Sequence, residues 1–167
     1  RQRKLFVAKA EYNKCLETAE DAEECHKQWA KFDSDNNGYP MDCMGWNLAA
    51  PIDPNSGIQG NSDVTDLLGH GTHVAGIIAG ENQEFHGIAP DTKIIAINIF
   101  DKSGASLDQN VVKALAYIVS LTSNYNIAAV NMSFGSPRAF TETCDTYLPA
   151  VTAEIHNLRI KNVATVI

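Results

Sequence analysis

The chain has 167 residues, of which 44% are hydrophobic, enough for one domain with a core of its own. Its formal net charge of −7 leaves no basic face for phosphates and excludes nucleic acid as a partner. No apolar run approaches a membrane span, and no signal peptide is visible in a sequence that starts at Arg1 without an initiator methionine and reads as truncated. Four cysteines (Cys15, Cys25, Cys43, Cys144) suit two disulfides of an exported protein and equally suit buried free thiols.

Residues 1–32 carry many charges and place Leu5, Ala8, Tyr12, Cys15, Leu16, Ala22, Cys25 and Trp29 at helical spacing. Thr18 followed by Asp21 offers a capping box, so the segment divides into two helices near residue 18 or runs as one. One straight helix holds Cys15 and Cys25 about 15 Å apart, too far for a disulfide, whereas a helical hairpin allows one. The segment reads as a solvated amphipathic insertion. Next, Asp33, Asp35 and Asn37 alternate before Gly38, as in a loop that wraps a hard cation. The Tyr39 carbonyl takes the next ligand position and Asp42 follows shortly after, but Met44 stands where a closing Glu is needed. Calcium and a plain Asx-rich turn both remain open.

Residues 51–66, with Pro51, Pro54, Gly57 and Gly60, predict a surface loop that delivers the chain to residue 70. Residues 69–80 predict a helix, apolar nearly all round and therefore buried. His70 stands in its first turn between Gly69 and Gly71, so no flanking Cβ keeps another chain from the imidazole. The positive end of the helix dipole disfavours imidazolium and leaves a lone pair free to take a proton, as a general base requires. The competing readings are a core histidine that caps the helix and a zinc pair with His73; the zinc pair lacks the neighbouring carboxylate and third ligand.

Residues 93–100 form a near-continuous apolar run that predicts a strand buried on both faces. A polar loop at 101–106 leads to a helix at 107–120 with Val111, Val112, Leu115, Ile118 and Val119 inward. A second buried strand at 127–133, a helix at 145–160 and a third strand at 162–167 follow. Strands alternating with helices predict an α/β fold around a parallel sheet with right-handed crossovers.

The string His70-Gly71-Thr72-His73-Val74-Ala75-Gly76 closely resembles the histidine block of the subtilisin-like serine proteases (subtilases, peptidase family S8). Gly45-Trp46-Asn47 after the Asx-rich stretch, Gly87-Ile88-Ala89-Pro90 and Asn131-Met132-Ser133-Phe134-Gly135 are similar to further stretches of that family. The resemblance covers residues 33–167 and implies a partial peptidase domain with helices on both faces of the sheet, a three-layer α/β/α arrangement, preceded by the helical insertion 1–32. It implies that His70 is the catalytic base and His73 a packed neighbour. Ser103, Gly104 and Ala105 would form one edge for an extended polypeptide substrate, and Ser133, Phe134 and Gly135 the other.

The family's triad runs Asp, His, Ser, and neither the Asp-Ser/Thr-Gly strand nor the Gly-Thr-Ser block occurs here. Asp33-Ser34 is rejected as the aspartate block, because residues 27–32 make a charged helical approach and Gly38 comes too late. The resemblance thus implies an internal piece of a secreted serine endopeptidase whose other segments carry Asp and Ser, and a piece that is inactive alone. The contrasting reading is a whole, non-catalytic scaffold that binds calcium or a partner. Against it, an apolar half-strand at 163–167 would be an aggregation-prone edge.

Overall fold

The computed structural model describes residues 37, 39, 42, 44–52, 57–135, 141 and 143–167. The expected insertion 1–32, with Cys15 and Cys25, lies outside these, as do Asp33, Asp35 and Cys43. Strands β1 (Gly45–Ile52) and β2 (Gln59–Asn61) run antiparallel, and β1 pairs in parallel with β3 (Ala96–Asn98). Their order is β2-β1-β3, while β4 (Ala129–Asn131) and β5 (Ala164–Val166) form a two-stranded parallel sheet. The helices are α1 (His70–Ala79), α2 (Asp108–Leu121), α3 (Cys144–Tyr147) and α4 (Pro149–Ile160). The fold is mixed α/β.

Two differences from the sequence expectation have clear causes. The surface loop expected at 51–66 is partly sheet, because Gln59 returns to β1: its side chain donates to Leu48 O at 2.8 Å, and its own carbonyl accepts Trp46 Nε1 at 3.0 Å. Gly60 permits the approach, since a Cβ there would sit 2.3 Å from Asn47 O, and its φ of +100° suits glycine. The single helix expected at 145–160 breaks at Leu148, because Pro149 starts α4 and its fixed φ suits a first helical position better than an interior one.

Helix α2 organises the core. Ala114, Tyr117 and Leu121 pack with Trp46, Leu48 and Ile99 from the first sheet and its exit. Its neighbours Leu115 and Ile118 pack with Met132, Leu158 and Val163 from the second sheet and α4. Ile97, Val111 and Ile127 touch both groups, so the two sheets share this one helix. Of the residues expected inward, Leu115 and Ile118 are buried, whereas Val111, Val112 and Val119 are only half-buried. The strands are less covered than their apolar runs suggest. Ile94 and Ile95 are exposed while Ile99 is buried, and Ala129 and Asn131 are exposed around a half-buried Val130. All three residues of β3 are half-buried, and β4 alternates exposed, half-buried, exposed.

Candidate active site

Helix α1 starts at His70 and owes its start to a residue outside it. Its N-cap, Gly69, sits at φ +82° in the left-handed region, where a Cβ is strained, and has no side chain to cap the helix. The acceptor comes from Asp66. One carboxylate oxygen, Oδ1, accepts the Leu68 and Gly69 N–H groups at 3.0 and 2.9 Å. The other, Oδ2, accepts the Thr72 N–H at 2.7 Å and its hydroxyl at 2.8 Å. The backbone N–H and hydroxyl of Thr72, followed by the N–H groups of Leu68 and Gly69, hold the Asp66 carboxyl far below the ordinary carboxylate range.

His70 is open to solvent, as proton exchange requires. The expectation of a buried helix is corrected: no residue of α1 is buried, and Ile77 is 49% exposed. What holds α1 is the returning chain, where Gly87, Ile88 and Ala89 donate backbone N–H groups to Gly80, Ile77 and Ile78 at 2.6, 3.0 and 2.8 Å. Backbone pairing fixes the helix without covering its apolar side. His73, expected to be packed, is likewise exposed; its backbone N–H opens the helical ladder by donating to Gly69 O at 3.0 Å.

The first expected substrate edge is a tight loop built on Asp101. Its carboxylate accepts the Ser103 hydroxyl at 2.6 Å and the Ser103 and Ala105 N–H groups at 2.8 and 3.1 Å. The Ser103 hydroxyl and then the Ala105 N–H lead in holding the pKa of Asp101 below the ordinary carboxylate value. Gly104, at φ +80°, makes the turn possible, and Ser103, Gly104 and Ala105 are all exposed. At the second edge, Asn131 Nδ2 donates to Ser133 Oγ at 2.9 Å, and Ser133, Phe134 and Gly135 are exposed.

Two contacts connect these pieces. The Leu68 side chain lies 3.6 Å from where a Cβ on Gly104 would sit, so the loop entering His70 abuts the first edge. Phe100, next to Asp101, meets Phe134 edge to face with centroids 5.6 Å apart, so the first edge adjoins the second. Sequence reasoning missed Asp66 and Asp101. The available signal was an aspartate two or three residues before serine or glycine, the pattern of a carboxylate that arrests its own turn.

Asn37, Tyr39 and Asp42 of the Asx-rich loop come together. Asn37 donates from Nδ2 to Asp42 Oδ2 at 2.7 Å and accepts the Tyr39 N–H at 2.8 Å. The Tyr117 hydroxyl of α2 donates to the same Asp42 oxygen at 2.5 Å, and the Tyr39 ring packs edge-on against both Tyr117 and Trp46. Burial first, and then the Asp42 charge, raise the pKa of the Tyr39 phenol. Among the described residues no group of three or more His, Cys, Asp or Glu side chains is placed to share a metal. None of the described helices is long and apolar enough to cross a membrane.

A sequence profile described as the subtilase family matches residues 49–165. A subtilisin-like protease of Coccidioides posadasii is 35% identical over 95 residues, 54% of this chain and 23% of that protein. Proteinase T of Parengyodontium album is 33% identical over 81 residues, 47% of this chain and 27% of its own length. Tripeptidyl-peptidase 2 of Arabidopsis thaliana is 35% identical over 102 residues, 59% of this chain and 7% of that protein. The chain therefore matches about a quarter or less of each of these three relatives. No solved structure gives a significant match.

Proposed function

Because the chain belongs to the subtilase family of serine peptidases, we propose that it is part of a secreted endopeptidase that hydrolyses polypeptides with an Asp-His-Ser triad, and that His70 is the triad base. In this reading His70 takes the proton of a serine hydroxyl as that oxygen attacks the scissile carbonyl, then delivers it to the leaving amine. The aspartate that orients the ring and the serine itself come from segments of the same protease outside these 167 residues. Support for this comes from a sequence with neither block and from relatives several times longer than the match. The substrate lies extended between the exposed residues 103–105 and 133–135, as in strand addition. The N–H groups of 103–105 and of Phe134 are already bonded within the chain, so pairing at these positions falls to other main-chain groups. We further propose that the two sheets belong to one three-layer α/β/α domain.

The observation that carries this reading is the solvent-open histidine at the start of α1, whose entering loop meets the first rim through Leu68, while the first rim adjoins the second through Phe100 and Phe134. The test compares the chain alone with the full-length gene product, using a general peptide substrate and a serine-directed phosphonate. The chain alone is expected to show no turnover and no label, and the full-length product both. His70→Ala in the full-length product is expected to lower kcat on the order of 10⁴-fold or more. Labelling of a serine within the chain alone would overturn the divided triad. A full-length product that neither turns over nor labels would leave a non-catalytic scaffold.

A structural calcium ion belongs to the same proposal, held by side-chain oxygens of Asp33, Asp35, Asn37 and Asp42 and by the Tyr39 carbonyl. Oxygen-only donors suit a hard cation, although Asp42 Oδ2 and Asn37 Oδ1 already accept protons from the protein. At one hundred times its Kd such an ion adds about 2.7 kcal/mol, so chelator is expected to lower the melting temperature by several degrees. An unchanged melting temperature would leave an Asx turn held by Tyr117.

A further inference from the structure

Histidine at the first position of a helix is only as well placed as the turn before it, and α1 begins with a turn that cannot cap itself. Gly69 has no side chain, yet Thr72, the third residue of the helix, has its N–H satisfied. The acceptor reaches back from Asp66, four residues before His70 and six before Thr72. The same carboxylate holds the N–H groups of Leu68 and Gly69, so both chain directions away from His70 are tied to one group. Leu68 is also the residue whose side chain meets Gly104. One carboxylate thereby fixes the left-handed turn, the first turn of the helix and the contact with the first substrate edge.

We propose that Asp66 is a positioning residue for the base, holding the His70 turn in register with the Gly104 edge through its four hydrogen bonds to Leu68, Gly69 and Thr72. The proposal rests on the reading of His70 as base. Asp66 touches no reacting atom; it acts through the backbone that carries the ring. Both of its oxygens serve only as acceptors, so Asn is not equivalent, because its NH₂ group would face N–H groups on one side. Thr72 supplies the complementary half: Ser at that position keeps the hydroxyl donor, and Val removes it.

The test has two arms. In the full-length gene product, amide hydrogen exchange is followed for Asp66→Ala and Asp66→Asn. Exchange at Leu68, Gly69 and Thr72 is expected to rise about tenfold or more while the buried turns of α2 keep their protection. In the full-length gene product, Asp66→Ala is expected to lower kcat about 10- to 100-fold with little change in KM, the signature of a displaced catalytic group. Asp66→Asn should fall between, Thr72→Val should lose a few-fold in kcat by the loss of one charge-assisted hydrogen bond, and Thr72→Ser should restore it. Unchanged exchange at Thr72, kcat unaltered in Asp66→Ala, or equal loss of protection throughout α2 would each overturn the proposal. His70→Ala separates the two readings. If that variant stays active, the base assignment fails; if it is dead while Asp66→Ala is active, only the positioning role fails.

Discussion

Helices α1 and α2 are held in opposite ways. Six residues of α2 are buried (Asn110, Ala114, Leu115, Tyr117, Ile118 and Leu121), so it joins both sheets by burial. No residue of α1 is buried; it is fastened by the Asp66 carboxylate at its start and by backbone pairing with residues 87–89 behind it. Burial is cooperative and long-range, whereas a carboxylate cap is local and can be broken without unfolding the rest. The candidate base therefore sits on a scaffold whose stability and whose site geometry depend on different residues.

Substitutions that strike the scaffold should test this contrast most strongly. A Cβ on Gly45 would lie 1.6 Å from Ala96 O, directly in the parallel pairing of β1 with β3, and its φ is +135°. Gly45→Ala is expected to cost about 4 kcal/mol or more, read as a large fall in denaturation midpoint. Leu158, fully buried between α4 and α2, comes next. Truncation to Ala should cost about 2–5 kcal/mol, while Ile77→Ala on the open side of α1 should stay within about 0.5 kcal/mol. A comparable loss from Ile77→Ala would show that something covers α1 in solution and would erase the contrast.

The same contrast explains what could be read from the sequence. Helix α2 was legible as an element because its apolar positions recur at helical spacing, but its buried face only in part. Leu115 and Ile118 are buried as expected, whereas Ala114, Tyr117 and Leu121 fill the core in place of the half-buried Val111, Val112 and Val119. The histidine block was legible as a motif, but its apolar composition led to an expectation of burial that α1 does not meet. Composition reports what a helix could bury, and not what lies beside it. The β1–β2 pair was missed because its pairing is irregular between Asn47 and Ile52 and depends on Gln59 and Gly60, which read as turn residues. Asp66 and Asp101 were missed for a related reason. A carboxylate that accepts three or four hydrogen bonds from its own loop looks, in sequence, like any exposed acid.

An intermediate effect is expected where the two regimes meet. Tyr117 is buried in the core of α2, yet its hydroxyl reaches the Asp42 carboxylate. Phe at this position keeps the ring packing and removes only the donor, which costs about 1.5–3 kcal/mol for a hydrogen bond to a charged group. If calcium occupies the Asx-rich loop, Tyr117→Phe should also make the melting temperature more sensitive to chelator. Equal sensitivity in both proteins would separate the Tyr117 strut from any cation.

The smallest effect is the response to acid, and its sign follows from the carboxylates alone. Asp63, Asp66 and Asp101 all have pKa values lowered from an ordinary 3.8, each chiefly by hydrogen bonds from a Thr or Ser close by. The folded chain thus binds fewer protons than the unfolded chain at these sites. Their contribution is fully present above pH 4, and it declines as pH falls from there through the lower folded values. Because all three lie at or near the surface, water screens much of the effect. The change should be local before it is global. Between pH 4 and pH 2, amide exchange corrected for the intrinsic pH dependence should rise first at Thr72 and Ala105, whose N–H groups these carboxylates hold. The buried turns of α2 should follow later. Simultaneous loss at all of these sites would mean that the cap on α1 is coupled to the core, and that the site cannot loosen on its own.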